Sequence, residues 1–201
     1  MTGATAAPLV ARTTSPAATR DLAAAVASVL VPGDLLLLVG ELGAGKTTFT
    51  QGLARGLGVT GPVTSPTFTL VRAYPCAAGA GGVATLYHAD LYRLDRLGDV
   101  VDLGLAEMVE DDAAAVVEWG DAVREVFGPD VLEVALAAPP RATTAPDPGT
   151  VGRDGADEPR TVTIVAGGSF APRAGALAAA LEPWTRSAGD DPAAAAATRR
   201  S

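Results

Sequence analysis

Lysine is nearly absent from this chain: Lys46 is the only one in 201 residues, and the other Lys/Arg positions are all arginine. Cysteine and histidine are each present once, as Cys76 and His88. A lone cysteine excludes an internal disulfide, and together the two counts exclude a Cys/His metal cluster. Positive charge is also in deficit, with a formal net charge of −8. That balance argues against a broad basic face for RNA or DNA, so any nucleic acid has to be held by a partner. No apolar run reaches the length of a membrane span, and the first residues carry no basic-then-apolar leader pattern. The expected setting is therefore the cytoplasm, with no membrane contact.

Against these absences stands one stretch, residues 35–48, LLLLVGELGAGKTT. Gly40, Gly45, Lys46 and Thr47 fit G-x-x-x-x-G-K-[ST], the P-loop pattern. Its context is the required one, because residues 35–39 form a continuous apolar strand and residues 49–57 have helical spacing. Gly43 and Gly45 let the backbone turn its N–H groups inward around a phosphate chain, at the positive end of the following helix. Lys46 reaches the β and γ phosphates, and the Thr47 hydroxyl is a hard oxygen ligand for Mg²⁺. An arginine-using chain that keeps its single lysine here keeps a slim point charge where phosphate-binding geometry asks for one.

Nearly half of the residues, 48%, are apolar or aromatic, enough for the core of one α/β domain. The expected fold is a P-loop NTPase-like three-layer α/β/α domain around a central, mostly parallel sheet. Its expected limits are residues 15–184, with disordered ends at 1–14 and 185–201 and a flexible loop at 138–160, rich in Pro, Gly, Thr and Asp. Ser15-Pro16 is a helix start, followed by an apolar stripe at Leu22, Val26, Val29 and Leu30. Residues 65–74 read as a polar loop turning into a strand, and residues 65–67 sit where P-loop proteins place a segment that senses the γ-phosphate. Two apolar strands then end in carboxylates, TLYHAD at Asp90 and AAVVE at Glu118. Acids at such strand ends lie where ligands of open α/β sheets bind. One can serve the Mg²⁺ shell and the other orient, or take a proton from, an attacking water; either can also be an ordinary solvated strand end. His88, one pleat before Asp90, reads as a structural or supporting residue. Short helices at 103–109 and 121–127, strands at 131–137 and 161–166 and a helix over 170–181 complete the chain.

Four blocks in this order, GELGAGKTTF, SPTFTLV, YHADLYRL and VEWG, resemble the bacterial TsaE family of P-loop ATPases, which are needed to form threonylcarbamoyladenosine next to the anticodon of certain tRNAs. The resemblance spans about residues 15–166. It implies that Gly43, Ala44, Gly45, Lys46, Thr47 and Thr48 hold ATP or ADP and that Thr47 and Glu118 serve Mg²⁺. It further implies that Asp90 is the residue most tied to hydrolysis and that Thr67 belongs to a switch-like loop acting with Lys46 in catalysis. Trp119 lies near the nucleotide in this family, and Arg160 corresponds to its arginine before the last strand. The implied partners are TsaB and TsaD, with TsaC making the activated threonylcarbamoyl adenylate and tRNA reached only through the complex.

Three rivals differ in what they require. A GTPase needs an Asn-Lys-x-Asp base reader, and no second lysine exists. A small-molecule kinase needs an arginine-rich lid, for which Arg93 and Arg96 are too sparse. A nucleotide-gated binding module with little catalysis is separated only by an assay of ATP turnover.

Overall fold

The computed structural model describes residues 6–66, 69–77, 81–92, 97–109, 112–120, 124–139 and 159–186. Along the chain these form β1 (Leu9–Thr13), α1 (Pro16–Ala27), β2 (Leu35–Val39), α2 (Lys46–Gly56), β3 (Val71–Pro75) and β4 (Thr85–Asp90). Then follow α3 (Leu97–Val101), α4 (Leu105–Met108), β5 (Ala113–Glu118), α5 (Arg124–Phe127), β6 (Leu132–Ala137) and β7 (Arg160–Ala166). A 3-10 turn (Gly168–Arg173), α6 (Ala174–Ala180) and α7 (Glu182–Thr185) end the described chain.

The seven strands make one sheet in the order β1-β7-β6-β2-β5-β4-β3. Its centre, β6-β2-β5-β4, is parallel, whereas β3 at one edge and the β7-β1 pair at the other are antiparallel. The expected parallel sheet is thus the centre of a mixed one. Alternation along β2 explains its uninterrupted leucines: Leu36 and Leu38 enter a core with α1 and α2, while Leu35 and Leu37 enter a second core with α3 and α4. A strand covered on both faces reads as a continuous apolar run. The three-layer arrangement follows directly.

Ser15 caps α1 as expected, its hydroxyl accepting from the Ala18 N–H at 3.1 Å. α1 packs on α2 so closely that a Cβ on Gly52 would lie 2.3 Å from the Arg20 carbonyl oxygen. Glycine there sets how near the P-loop helix comes to its neighbour, and so where the loop itself sits.

Four expectations need correction. Residues 9–13 are strand β1, not disordered, because Ala11 and Thr13 are buried and β7 offers them a full antiparallel partner. The strand expected to emerge within 65–74 starts only at Val71, as β3, since Leu70 has a φ of 61°, outside the extended region. The helix expected over 170–181 opens as a 3-10 turn containing Pro172, which has no N–H to continue an α ladder. The helix expected over 103–109 begins only after Gly104, whose φ of 62° separates it from α3. The flexible loop expected at 138–160 and the tail from 187 fall almost wholly outside the described residues. No helix among the described residues is long and apolar enough to cross a membrane.

Candidate functional site: a P-loop flanked by two buried carboxylates

Residues 40–45 join the carboxyl end of β2 to α2. At Gly40 the chain turns with a φ of 147°, and a Cβ there would fall 2.4 Å from the Leu136 carbonyl oxygen, so only glycine lets the loop run against the end of β6. Gly45, with a φ of 106°, caps α2 without a side-chain hydrogen bond. The first N–H groups of the eleven-residue helix are thereby left for a ligand. Lys46 is 5% exposed. Its Nζ donates to the Gly40 carbonyl at 2.6 Å and the Glu41 carbonyl at 2.9 Å. The same ammonium lies 3.5 Å from the centroid of the Trp119 ring, inside cation–π range. Trp119 reaches this position with a φ of 66°, a left-handed backbone that a bulky residue adopts only when its surroundings hold it there. Tyr92 also packs on Trp119, ring centroids 4.8 Å apart and tilted by 45°.

Two carboxylates stand beside the loop. Asp90 and Glu118 are register partners on the parallel strands β4 and β5, and Leu38 of β2 is Glu118's partner on its other side. Both acids share the strand face of Leu86, Ala114 and Val116, which enter the core that α1 and α2 cover, so both face α2. Glu118 is 3% and Asp90 8% exposed, and carboxylates this buried must have donors. Each has two. Glu118 accepts from the Thr47 hydroxyl at 3.0 Å on Oε2 and meets His88 Nε2 at 2.8 Å on Oε1. Asp90 accepts from the Ser65 hydroxyl on Oδ2 and from the Tyr92 N–H at 3.2 Å on Oδ1.

Thr47 Oγ1 and Glu118 Oε2 are therefore a touching pair of hard oxygen donors, the kind a small divalent cation takes. No cluster of three His, Cys, Asp or Glu side chains exists among the described residues. A cation at this pair would draw its remaining ligands from water and phosphate oxygens, as Mg²⁺ does.

The structure thus brings together Gly43, Ala44, Gly45, Lys46, Thr47 and Thr48 on the loop and α2 with Asp90, Glu118 and Trp119 from the two neighbouring strand ends. Arg160 opens β7 opposite Thr13, at the same end of the sheet but two strands from β2. Thr67 lies outside the described residues. Two residues escape a reading of the sequence. Ser65 is 25 positions from the carboxylate it holds, and Tyr92 contributes a backbone N–H as well as its ring. Their signals were membership of a block, SPTFTLV or YHADLYRL, and for Ser65 its place in the segment 65–67, none of which pointed to Asp90. Cys76 stands apart from all this: burial pushes its thiol up from its ordinary value, which keeps it protonated and inert.

Comparison with known proteins agrees with this geometry. The family described as "Threonylcarbamoyl adenosine biosynthesis protein TsaE" matches residues 13–143. A TsaE from Streptomyces coelicolor, named as a tRNA threonylcarbamoyladenosine biosynthesis protein, is 43% identical over 146 residues, 72% of this chain and 88% of its own. The Bacillus subtilis protein of the same name is 42% identical over 125 residues, 62% of this chain and 75% of its own. The crystal structure of Bacillus subtilis YdiB superposes with a TM-score of 0.62 at 33% identity, covering 88% of this chain and 95% of that one. Arg160 lies beyond the family match, whereas the loop, both carboxylates and Trp119 lie within it. With the P-loop, the paired strand-end acids and this matched span in hand, the chain belongs to the TsaE family.

Proposed function

We propose that this protein binds ATP with Mg²⁺ and hydrolyses it in support of threonylcarbamoyladenosine formation next to the anticodon of tRNA, acting with TsaB and TsaD. The observation that carries this reading is the contact of Thr47 with Glu118 at 3.0 Å, beside Asp90 and at the open amino end of α2. In this reading the N–H groups of residues 43–48 take the phosphate chain, and Lys46 leaves its two loop carbonyls for the β and γ phosphates. Thr47 Oγ1 and Glu118 Oε2 supply the protein's oxygens to Mg²⁺, which when bound neutralises charge on the phosphate oxygens. Asp90, fixed by Ser65 and the Tyr92 N–H, holds the attacking water and takes its proton as the γ-phosphorus bond to the bridging oxygen breaks. Trp119 borders the phosphates, Thr67 belongs to a loop that reads the γ-phosphate, and Arg160 adds positive charge from the end of β7.

The test is ATP turnover by purified protein and by Lys46→Ala, alone and with TsaB and TsaD. Slow turnover alone, acceleration by the pair and loss of both turnover and ADP binding in the variant are expected. Turnover that survives Lys46→Ala overturns the reading. Binding without turnover under every condition would instead make the protein a nucleotide-gated module.

A further inference from the structure

Building on the reading of Thr47 and Glu118 as the protein's ligands to the cation, we propose that His88 is a positioning residue for that pair, fixing through Nε2–H which carboxylate oxygen of Glu118 meets Thr47. His88 is fully buried on β4, and its Nε2 lies 2.8 Å from Glu118 Oε1 across to β5. A carboxylate only accepts, so Nε2 carries a proton toward Glu118. Nδ1 is the one buried side-chain nitrogen or oxygen without a hydrogen-bond partner among the described residues. Packing alone gives no reason for such an atom, since Leu86, two positions before it on the same strand face, fills its site with carbon. The unpartnered Nδ1 is the cost of placing Nε2 where it is.

The geometry says what Nε2 does. Glu118 has several rotatable bonds, and one hydrogen bond from Thr47 leaves its carboxylate free to rotate about the bond that carries it. A second donor on the other oxygen, from a different strand, removes that rotation and holds Oε2 toward Thr47. Partners that orient a metal-binding side chain in this way are worth about 10–100-fold in metal affinity. His88 is not itself a ligand in this arrangement, because Nε2 is spent on Glu118 and Nδ1 points into buried surroundings.

The experiment is a Mg²⁺ titration of ADP binding for wild type, His88→Leu, His88→Gln and Glu118→Ala. His88→Leu, which removes the donor, is expected to raise the half-saturating Mg²⁺ concentration about 10–100-fold. A merely structural loss would lower ADP affinity without moving that concentration. His88→Gln, whose amide N–H can stand near the place of Nε2, is expected to restore it to within a few fold. A Glu118→Ala chain that keeps the wild-type half-saturation would overturn the cation reading itself. A shift in Glu118→Ala with none in His88→Leu would overturn only the role of His88. The wild type gives a check that needs no variant, because His88 is the chain's only histidine. In ¹⁵N NMR of tag-free protein, Nε2 should carry a proton, and its signal should move on adding Mg²⁺ and ADP. A proton on Nδ1 with a bare Nε2 would overturn the proposal.

Discussion

At the scale of single residues, burial decides which charges matter. Arg173 forms a two-pronged pair with Asp34, both bonds 2.6 Å, and the Asp34 side chain is only 3% exposed. Removing the guanidinium leaves a buried carboxylate with the Val31 N–H at 2.8 Å as its remaining donor among the described residues, so Arg173→Ala should cost about 3 kcal/mol, the low end for a broken buried pair because that donor stays and the arginine is itself partly exposed. The pair Arg55–Asp21 has the same 2.6 Å length but sits 56% and 57% exposed, and Arg55→Ala should cost under about 1 kcal/mol. Urea midpoints at unchanged slope measure both, and equal costs would show that the Arg173 contact is not what fixes the C-terminal turn to the start of β2. The two acids of the site should separate by function. Glu118→Ala is expected to weaken Mg²⁺-dependent nucleotide binding by about tenfold or more, roughly 1.4 kcal/mol. Asp90→Ala should bind almost normally and lose about 10²–10⁴-fold in hydrolysis, the range for a positioned base. Two variants that lose only binding would refute the division.

At the scale of elements, the amino-terminal segment is the instructive case. Its sequence, LVART, is short and has no clear alternation, so it reads as loose chain; only the presence of β7, some 150 positions on, makes it a strand. Its pairing covers the outer side of β7, and the Thr13 hydroxyl meets that of Thr19 on α1 at 2.8 Å. Deleting residues 1–14 should therefore lower stability by at least about 2 kcal/mol, counting a few lost hydrogen bonds at about 1 kcal/mol each. It should also promote aggregation through the exposed β7 edge. Deleting residues 187–201, which contain no periodic apolar pattern, should leave the melting temperature unchanged. Thermal melts and light scattering of the two truncations decide the matter, and equal behaviour would mean that β1 adds nothing. Elements whose signals are local were legible: the cap and proline of α1, the leucines of β2, and the acid-tipped strands β4 and β5. Where one φ angle or one proline redirects the chain, as at Leu70 and Pro172, composition alone did not place the boundary.

At the scale of the whole molecule, the same distinction applies to the site. Residues 40–48 are contiguous and could be read letter by letter. The contacts that give them a setting, Trp119 on Lys46, His88 on Glu118 and Ser65 on Asp90, depend on the order and register of β2, β5 and β4. No spacing rule in one dimension contains that register. Net charge, by contrast, belongs to the molecule as a whole. At −8 the protein should not bind bare tRNA at physiological salt, because it has few cations with which to displace the counterions of a polyanion. Filter binding or anisotropy with unmodified tRNA tests this, and tight salt-sensitive binding would require a basic face that the composition does not supply.

The position of Lys46 carries a last consequence, for the kinds of anion the loop admits. With its ammonium already seated on two carbonyls and an aromatic face, the loop is its own occupant, and an incoming ligand is discounted by the free energy of evicting it. Orthophosphate offers one phosphoryl group, too little to engage both Lys46 and the amino end of α2. A diphosphate spans the two. The loop should thus sort anions by chain length before any base is recognised, so that pyrophosphate displaces bound ADP at concentrations where orthophosphate does not. Equal competition by the two ions would mean that lysine leaves its seat at no cost.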